Sequence, residues 1–175
     1  MDSISGTSLL NDLNQEISDR IDADATIQNQ IDTLNDNIKI IDGILYVKDS
    51  VRNLYLAPKQ AYIFSRNGNA TNSYLYIGSV LSNKNSFHLN GDYVITSISA
   101  QLSDIATDAT IHIRKSGETG DIFTIVITND LHYDNNNLNI QLNHNDSIEI
   151  YCTGSGHIQN PIVDLFLSRN SGLTI

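Results

Sequence analysis

The chain has 175 residues and a mass of 19.4 kDa, room for one ordinary domain of roughly 100–150 residues and an accessory segment. Twenty acids against ten bases give a net charge of -10 with no basic cluster, which disfavours a nucleic-acid partner. One cysteine, Cys152, excludes an intrachain disulfide framework, and no apolar run of about 18 residues or basic leader segment is present, so neither membrane insertion nor a secretory signal is expected.

The chain falls into two unlike parts. None of its eight Tyr and four Phe precedes Tyr46, so no globular core is expected before that point. Residues 1–50 carry ten acids against Arg20, Lys39 and Lys48, which is -7 of the total -10. Within this part Leu10, Leu13, Ile17, Ile27, Ile31, Leu34, Ile38 and Ile41 follow the three-four alternation of a heptad seam. The stripe is narrow and polar residues surround it, so a lone helix of this kind lacks the packing that stabilises helices in water. Copies of itself are the simplest cover. Isoleucine at both a and d favours more than two strands, so a parallel homotrimeric coiled coil over residues 9–43 is expected. The register breaks at Arg20 and Asp24, which form an ionic layer, mark a stutter, or sit where two shorter helices meet near residues 22–25. Asp42-Gly43 reads as the glycine stop of the helix.

Residues 44–59 read as a collar strand or hairpin joining the two parts. Beyond them the period becomes two. Residues 61–65, 74–80, 93–102, 109–115, 122–128, 138–142, 147–152 and 162–167 are short runs rich in Ile, Val, Tyr and Thr. Turn clusters such as Asn67-Gly68-Asn69, Asn90-Gly91-Asp92, Asp134-Asn135-Asn136-Asn137 and Gly154-Ser155-Gly156 separate them. Residues 60–175 are therefore expected to fold as an all-β antiparallel sandwich, jelly-roll-like, forming a head domain.

Little in this part reads as catalytic. His112 lies in an alternating run and belongs on the outward face of a strand, while His88, His132, His144 and His157 fall at or near turns, without metal-ligand spacing. Cys152 follows Ile150-Tyr151 on a strand and reads as a small core residue, not a nucleophile paired with His157. Asp134 to Asn137 lack the glycine and glutamate of a calcium loop. No phosphate loop, dinucleotide fingerprint or nucleophile elbow is present. No cofactor, metal or catalytic residue is expected.

The segments Ile95-Thr96-Ser97-Ile98-Ser99-Ala100-Gln101, Ala109-Thr110-Ile111-His112-Ile113-Arg114-Lys115-Ser116-Gly117, Leu138-Asn139-Ile140-Gln141-Leu142, Asp146-Ser147-Ile148-Glu149-Ile150-Tyr151 and Ile158-Gln159-Asn160-Pro161-Ile162 to Leu167 stand in this order behind a coil. In order and spacing the series resembles the β-sandwich module at the tips of tailed-bacteriophage fibre and spike proteins, over roughly residues 60–170. Similar patterns occur in trimeric heads of the complement and tumour-necrosis-factor type. The phage module usually carries Arg after the proline, where Ile162 stands here.

The resemblance implies a virion-surface appendage assembled in the host cytoplasm: residues 1–8 attach to a capsid or tail protein, the coil forms a stalk and the sandwich a distal head. The modest length fits a short head fibre or decoration spike better than a long tail fibre. A host glycan is the ligand such a head implies, and His88, His132, Tyr133, Asn135, Asn136 and Asn137 have the ring faces and amides to meet one. Two alternatives stand beside this expectation: a capsid decoration or cement protein that binds no ligand, and a tailspike-like polysaccharide depolymerase.

Overall fold

The computed structural model describes residues 6–84 and 88–174, so five residues of the expected attachment segment, 1–5, lie outside the described part. The first element is a helix, α1 (Gly6–Asn37). No glycine or proline interrupts it after Gly6, and it runs unbroken through residues 22–25, which removes the expectation of two shorter helices. Its 32 residues make a rod of about 48 Å at 1.5 Å per residue.

The helix stops four residues earlier than the heptad seam suggests. Ile38 and Ile41, expected at seam positions of the coil, instead belong to strand β1 (Ile38–Ile41). Asp42-Gly43 is not a helix stop but the two-residue turn of a hairpin, with φ of 51° and 76°, and it leads into β2 (Ile44–Asp49). Both central residues take positive φ, as the tight turn matching strand twist requires, and Ile38, Ile40 and Ile41 are β-branched. The hairpin therefore spans the expected boundary between coil and collar at residues 43 and 44.

β3 (Leu54–Leu56) pairs with β2 and carries the hairpin onto the rest of the protein. Leu54 and Leu56 pack with Val94 in a small separate core, and Tyr46 and Tyr55 are also buried. Here the end of α1 is seated. The Tyr55 hydroxyl donates to the Asp36 carbonyl, Lys39 Nζ donates to the Asn35 carbonyl at 2.6 Å, and Lys48 Nζ lies 2.7 Å from the Asp36 carboxylate. Tyr55 and Lys39 thus satisfy carbonyls that the last helical turn leaves open, and Lys48 holds the Asp36 side chain.

The remaining strands are β4 (Gln60–Ser65), β5 (Ser73–Tyr74), β6 (Tyr76–Ile77), β7 (Val80–Leu81), β8 (Tyr93–Ala106), β9 (Ala109–Lys115), β10 (Asp121–Ile127), β11 (Asp130–Asn135), β12 (Ile140–Leu142), β13 (Ile148–Gly154) and β14 (Ile162–Thr174). Among the described residues all strand pairings are antiparallel and form two sheets. In the ten-stranded sheet β1, β2, β3, β14, β4, β6 and β7 follow one path, β8 lies against β14, and β11 and β12 lie against β8. The four-stranded sheet runs β10, β9, β13, β5. Ile95, Ile98, Leu102, Val163 and Leu165 from the first sheet and Ile111, Ile113, Ile125, Ile150 and Cys152 from the second share one buried core, which defines a β-sandwich.

The centre of that core depends on an irregularity in β8. Phe166 pairs with Ser97 but Leu167 with Ile95, so Thr96 is an extra residue and the inward parity changes there. Tyr93 and Ile95 before it, and Ile98, Ala100 and Leu102 after it, all face the core. Besides β1, two further strands escape the sequence pattern. β3 has three residues, and β11 includes Asp134 and Asn135 from an expected turn cluster. The expected run 74–80 is broken into two-residue strands at Leu75 and again at Gly78, whose φ is 60°.

Candidate functional site

The helical seam is bare within its own chain. Leu10, Leu13, Ile17, Ile27, Ile31 and Leu34 are each about half exposed, and no described side chain of α1 is buried. It does not fold back on the sandwich. Arg20 pairs with Glu16 at 2.8 Å along the same helix, and not with Asp24.

Of the residues expected to meet a glycan, Tyr133 and Asn135 come together, with Asn135 Nδ2 3.4 Å from the Tyr133 hydroxyl, whereas His132 turns to the other side of the same strand. His88 is exposed with its Nδ1 2.9 Å from the Asn145 carbonyl, near the start of β8. His132, Tyr133 and Asn135 stand on β11, where alternation splits them between two faces. His132 is opposite the exposed Gln101, whereas Tyr133 and Asn135 are opposite the buried Ala100 and Ile98. Tyr133 packs on the core, its ring 6.5 Å from Phe123. In the following loop the Asn137 amide donates to the Asn135 side chain at 3.0 Å, and the Asn136 carbonyl accepts from Arg52 at 3.5 Å.

Arg52 is the hub of that end of the head. It lies on the turn between β2 and β3 with only 9% of its side chain exposed. Its guanidinium donates to the Leu138 carbonyl at 2.6 Å and the Thr96 carbonyl at 2.9 Å, and meets the Asp49 carboxylate at 2.6 Å. A planar cation with several fixed donors suits this role, holding the collar turn, the bulge of β8 and the entry to β12 together.

The outer face of the four-stranded sheet carries a group that sequence reasoning found only in part. With the isoleucines of β9 and β13 turned inward, His112, Arg114, Glu149, Tyr151 and Thr153 point outward, and the edge strands add Tyr74 and Asp121. His112 was placed on this outward face by its alternating neighbours. What alternation does not give is the neighbour set across strands. His112 lies 2.6 Å from Asp121 Oδ2 through Nδ1 and 2.7 Å from Thr153 Oγ1 through Nε2. Arg114 Nε donates to Asp121 Oδ1 at 2.6 Å and its guanidinium lies 5.5 Å from the centre of the Tyr151 ring, which packs 4.8 Å from Tyr74.

Partial burial raises the Asp121 pKa, but hydrogen bonds from His112 and Arg114 outweigh it and hold the carboxyl below its ordinary value. Glu149 behaves in the opposite way, because burial pushes its pKa up more than Arg114 and Ser116 draw it down. The polar groups of this face serve one another, and their evident effect is to tie β10, β9 and β13 together.

Cys152 faces the core, and burial pushes its thiol up to about 12, which leaves it mostly protonated and a poor nucleophile at neutral pH. Among the described residues no three His, Cys, Asp or Glu side chains gather as a metal site requires. No helix among them is long and apolar enough to cross a membrane.

No protein-family model matches this chain, and no curated protein does. Among solved structures, it is similar to a chain from the disulfide-linked pili that form Bacillus endospore appendages, at 15% identity and a TM-score of 0.37, covering 64% of this chain and 86% of that one. It is also similar to a chain from the acid-stable capsid of the Helicobacter pylori bacteriophage KHP30, at 13% identity and a TM-score of 0.42, covering 67% of this chain and 96% of that one.

Proposed function

We propose that this protein is a non-enzymatic structural appendage subunit of a virion, a homotrimer whose helices form a stalk and whose sandwiches form a head. One observation carries the reading: a 32-residue helix with six seam side chains that its own chain leaves uncovered. Burying half-exposed aliphatic side chains contributes roughly 1 kcal/mol apiece, and copies of the same helix offer a matching surface. The virion setting, with the first residues fixed to capsid or tail, rests on the resemblance of the strand series to phage fibre heads.

The test is the solution mass of the full chain by light scattering. A mass of three chains is expected, with reversion to one chain in an Ile31→Asp variant. A wild-type protein that stays a single chain at every concentration overturns the reading.

A second reading has its own support. The turning of Tyr133 and Asn135 to the core side of β11, away from His132, favours a decoration protein without a ligand over an adhesin. Glycan-array binding by the full chain separates the two, since binding supports adhesion and a blank array supports decoration.

A further inference from the structure

Beyond the helical seam, the ten-stranded sheet has an outer face that the core does not use. Its cross-strand pairs can be followed from collar to head. On the hairpin Ile38 stands opposite Val47 and Ile40 opposite Leu45. On the sandwich Ala61 stands opposite Phe166, Ile63 opposite Asp164, and Ser65 opposite Ile162. Ile40, Leu45, Val47, Ile63 and Ile162 are all exposed, Ile40 by 73%.

We propose that this face is the surface through which copies of the chain pack against one another beside the helical bundle. The proposal rests on the self-association reading above and names the second interface that it requires.

Connectivity supplies the first argument. Asn37 ends the helix and Ile38 begins β1 with no residue between them. Helices packed with axes about 8–10 Å apart deliver the next residues of each chain at similar spacing, so the hairpins have no slack with which to separate. The donors from Tyr55, Lys39 and Lys48 fix the end of the helix on the collar, and β3 joins that collar to β14.

Charge supplies the second. Copies carrying -10 each repel, so contact is least costly where charge is sparse. On this face Asp49 is neutralised by Arg52, while Asp164 and Asp134 stand on either side of Ser99, so charge is sparse on the hairpin and on the β4–β14 pair and returns only towards β11. Asp164 Oδ1 is shielded with no hydrogen-bond donor among the described residues. The outer face of the other sheet presents Arg114, Asp121, Glu149 and His112 instead.

Shape supplies the third. An open cleft of about 410 Å³ lies where the collar steps onto the sandwich, with Val47, Leu56 and Pro58 as its apolar lining and Lys48, Asp49 and Lys59 at its charged positions. It offers a neighbouring copy room for a side chain.

The experiment uses thiol labelling of the full chain. Ile40→Cys, Ile63→Cys and Ile162→Cys are made singly, with Val126→Cys on the outer face of the four-stranded sheet as control. Cys152 is buried and contributes little background. Each is also made in the Ile31→Asp background, and solution mass is measured on every sample. In the oligomer the first three thiols should label at least tenfold more slowly than in the single chain, while Val126→Cys labels equally fast in both. An oligomer in which those three rates do not change overturns this interface and leaves the stalk standing. A wild-type protein that is a single chain overturns both.

Discussion

At Gly154 the requirement is for space. A Cβ there would lie 2.3 Å from the Asp108 carbonyl oxygen, a backbone atom that cannot swing aside. Gly154→Ala should therefore lower stability by about 2 kcal/mol or more in a denaturant titration, and an unchanged midpoint would show that the strands part easily. In the sequence Gly154 reads as one of a pair of turn glycines. The close approach of Asp108 belongs to the crossing between sheets, which no local pattern records. Asp121 offers a second test, through pH. Burial works against its ionisation, but His112 and Arg114 more than compensate and lower its folded-state pKa below 3.8. Its contribution is thus present above the unfolded pKa and is lost as pH falls through the folded one. At neutral pH Asp121→Asn should cost about 0.5–1 kcal/mol, a value reduced because the pair is partly exposed. The gap between variant and wild type should close as pH drops well below 3.8. Persistence of the full gap in strong acid would mean that packing, not charge, is lost.

At the next scale, whole elements are placed by contacts distant in sequence. The helix and most strands were legible because their apolar residues repeat every three to four or every two positions. The end of the helix was not, since Ile38 and Ile41 continue the heptad phase while their β-branching and the Asp42-Gly43 turn favour a hairpin. Two local signals conflicted there, since Asp42-Gly43 suits either a helix stop or a two-residue hairpin turn, and the hairpin, with both residues at positive φ, prevailed. Replacing Gly43 by Ala should cost about 1 kcal/mol, because its φ of 76° suits glycine far better than other residues. Arg52 was invisible for a different reason: its partners Thr96 and Leu138 lie 44 and 86 residues away. An Arg52→Lys substitution keeps the charge but loses the fork of donors, and should destabilise by about 2–3 kcal/mol. Amide exchange around Asn136 and Leu138 should quicken beyond that seen in other regions. Uniform acceleration across the sandwich would assign Arg52 to global stability instead of to this junction.

Considered whole, the molecule is a sandwich of modest net charge joined to a strongly acidic rod, and the rod's charge and its apolar seam make opposing demands on assembly. The sandwich was legible as a class from its strand series, whereas the faces it turns outward depended on register, above all on the extra residue at Thr96 that resets β8. The rod was legible in its charge. Between Gly6 and Asn37 the acids Asp12, Glu16, Asp19, Asp22, Asp24, Asp32 and Asp36 face a single base, Arg20, already engaged by Glu16. Parallel copies would stack like charge along the entire stalk, while the apolar seam draws them together. The balance between these forces must then depend on ionic strength. The screening length falls from about 30 Å at 0.01 M to about 8 Å at 0.15 M, so added sodium chloride weakens the repulsion between rods while leaving the seam intact. Sedimentation across that range should show self-association tightening roughly tenfold. Tightening should be smaller in an Asp22→Asn, Asp24→Asn double variant, which removes two of the repelling charges. Weaker association in salt would mean that ion pairs between copies hold the rods together and that the bare isoleucines are not the driving contact.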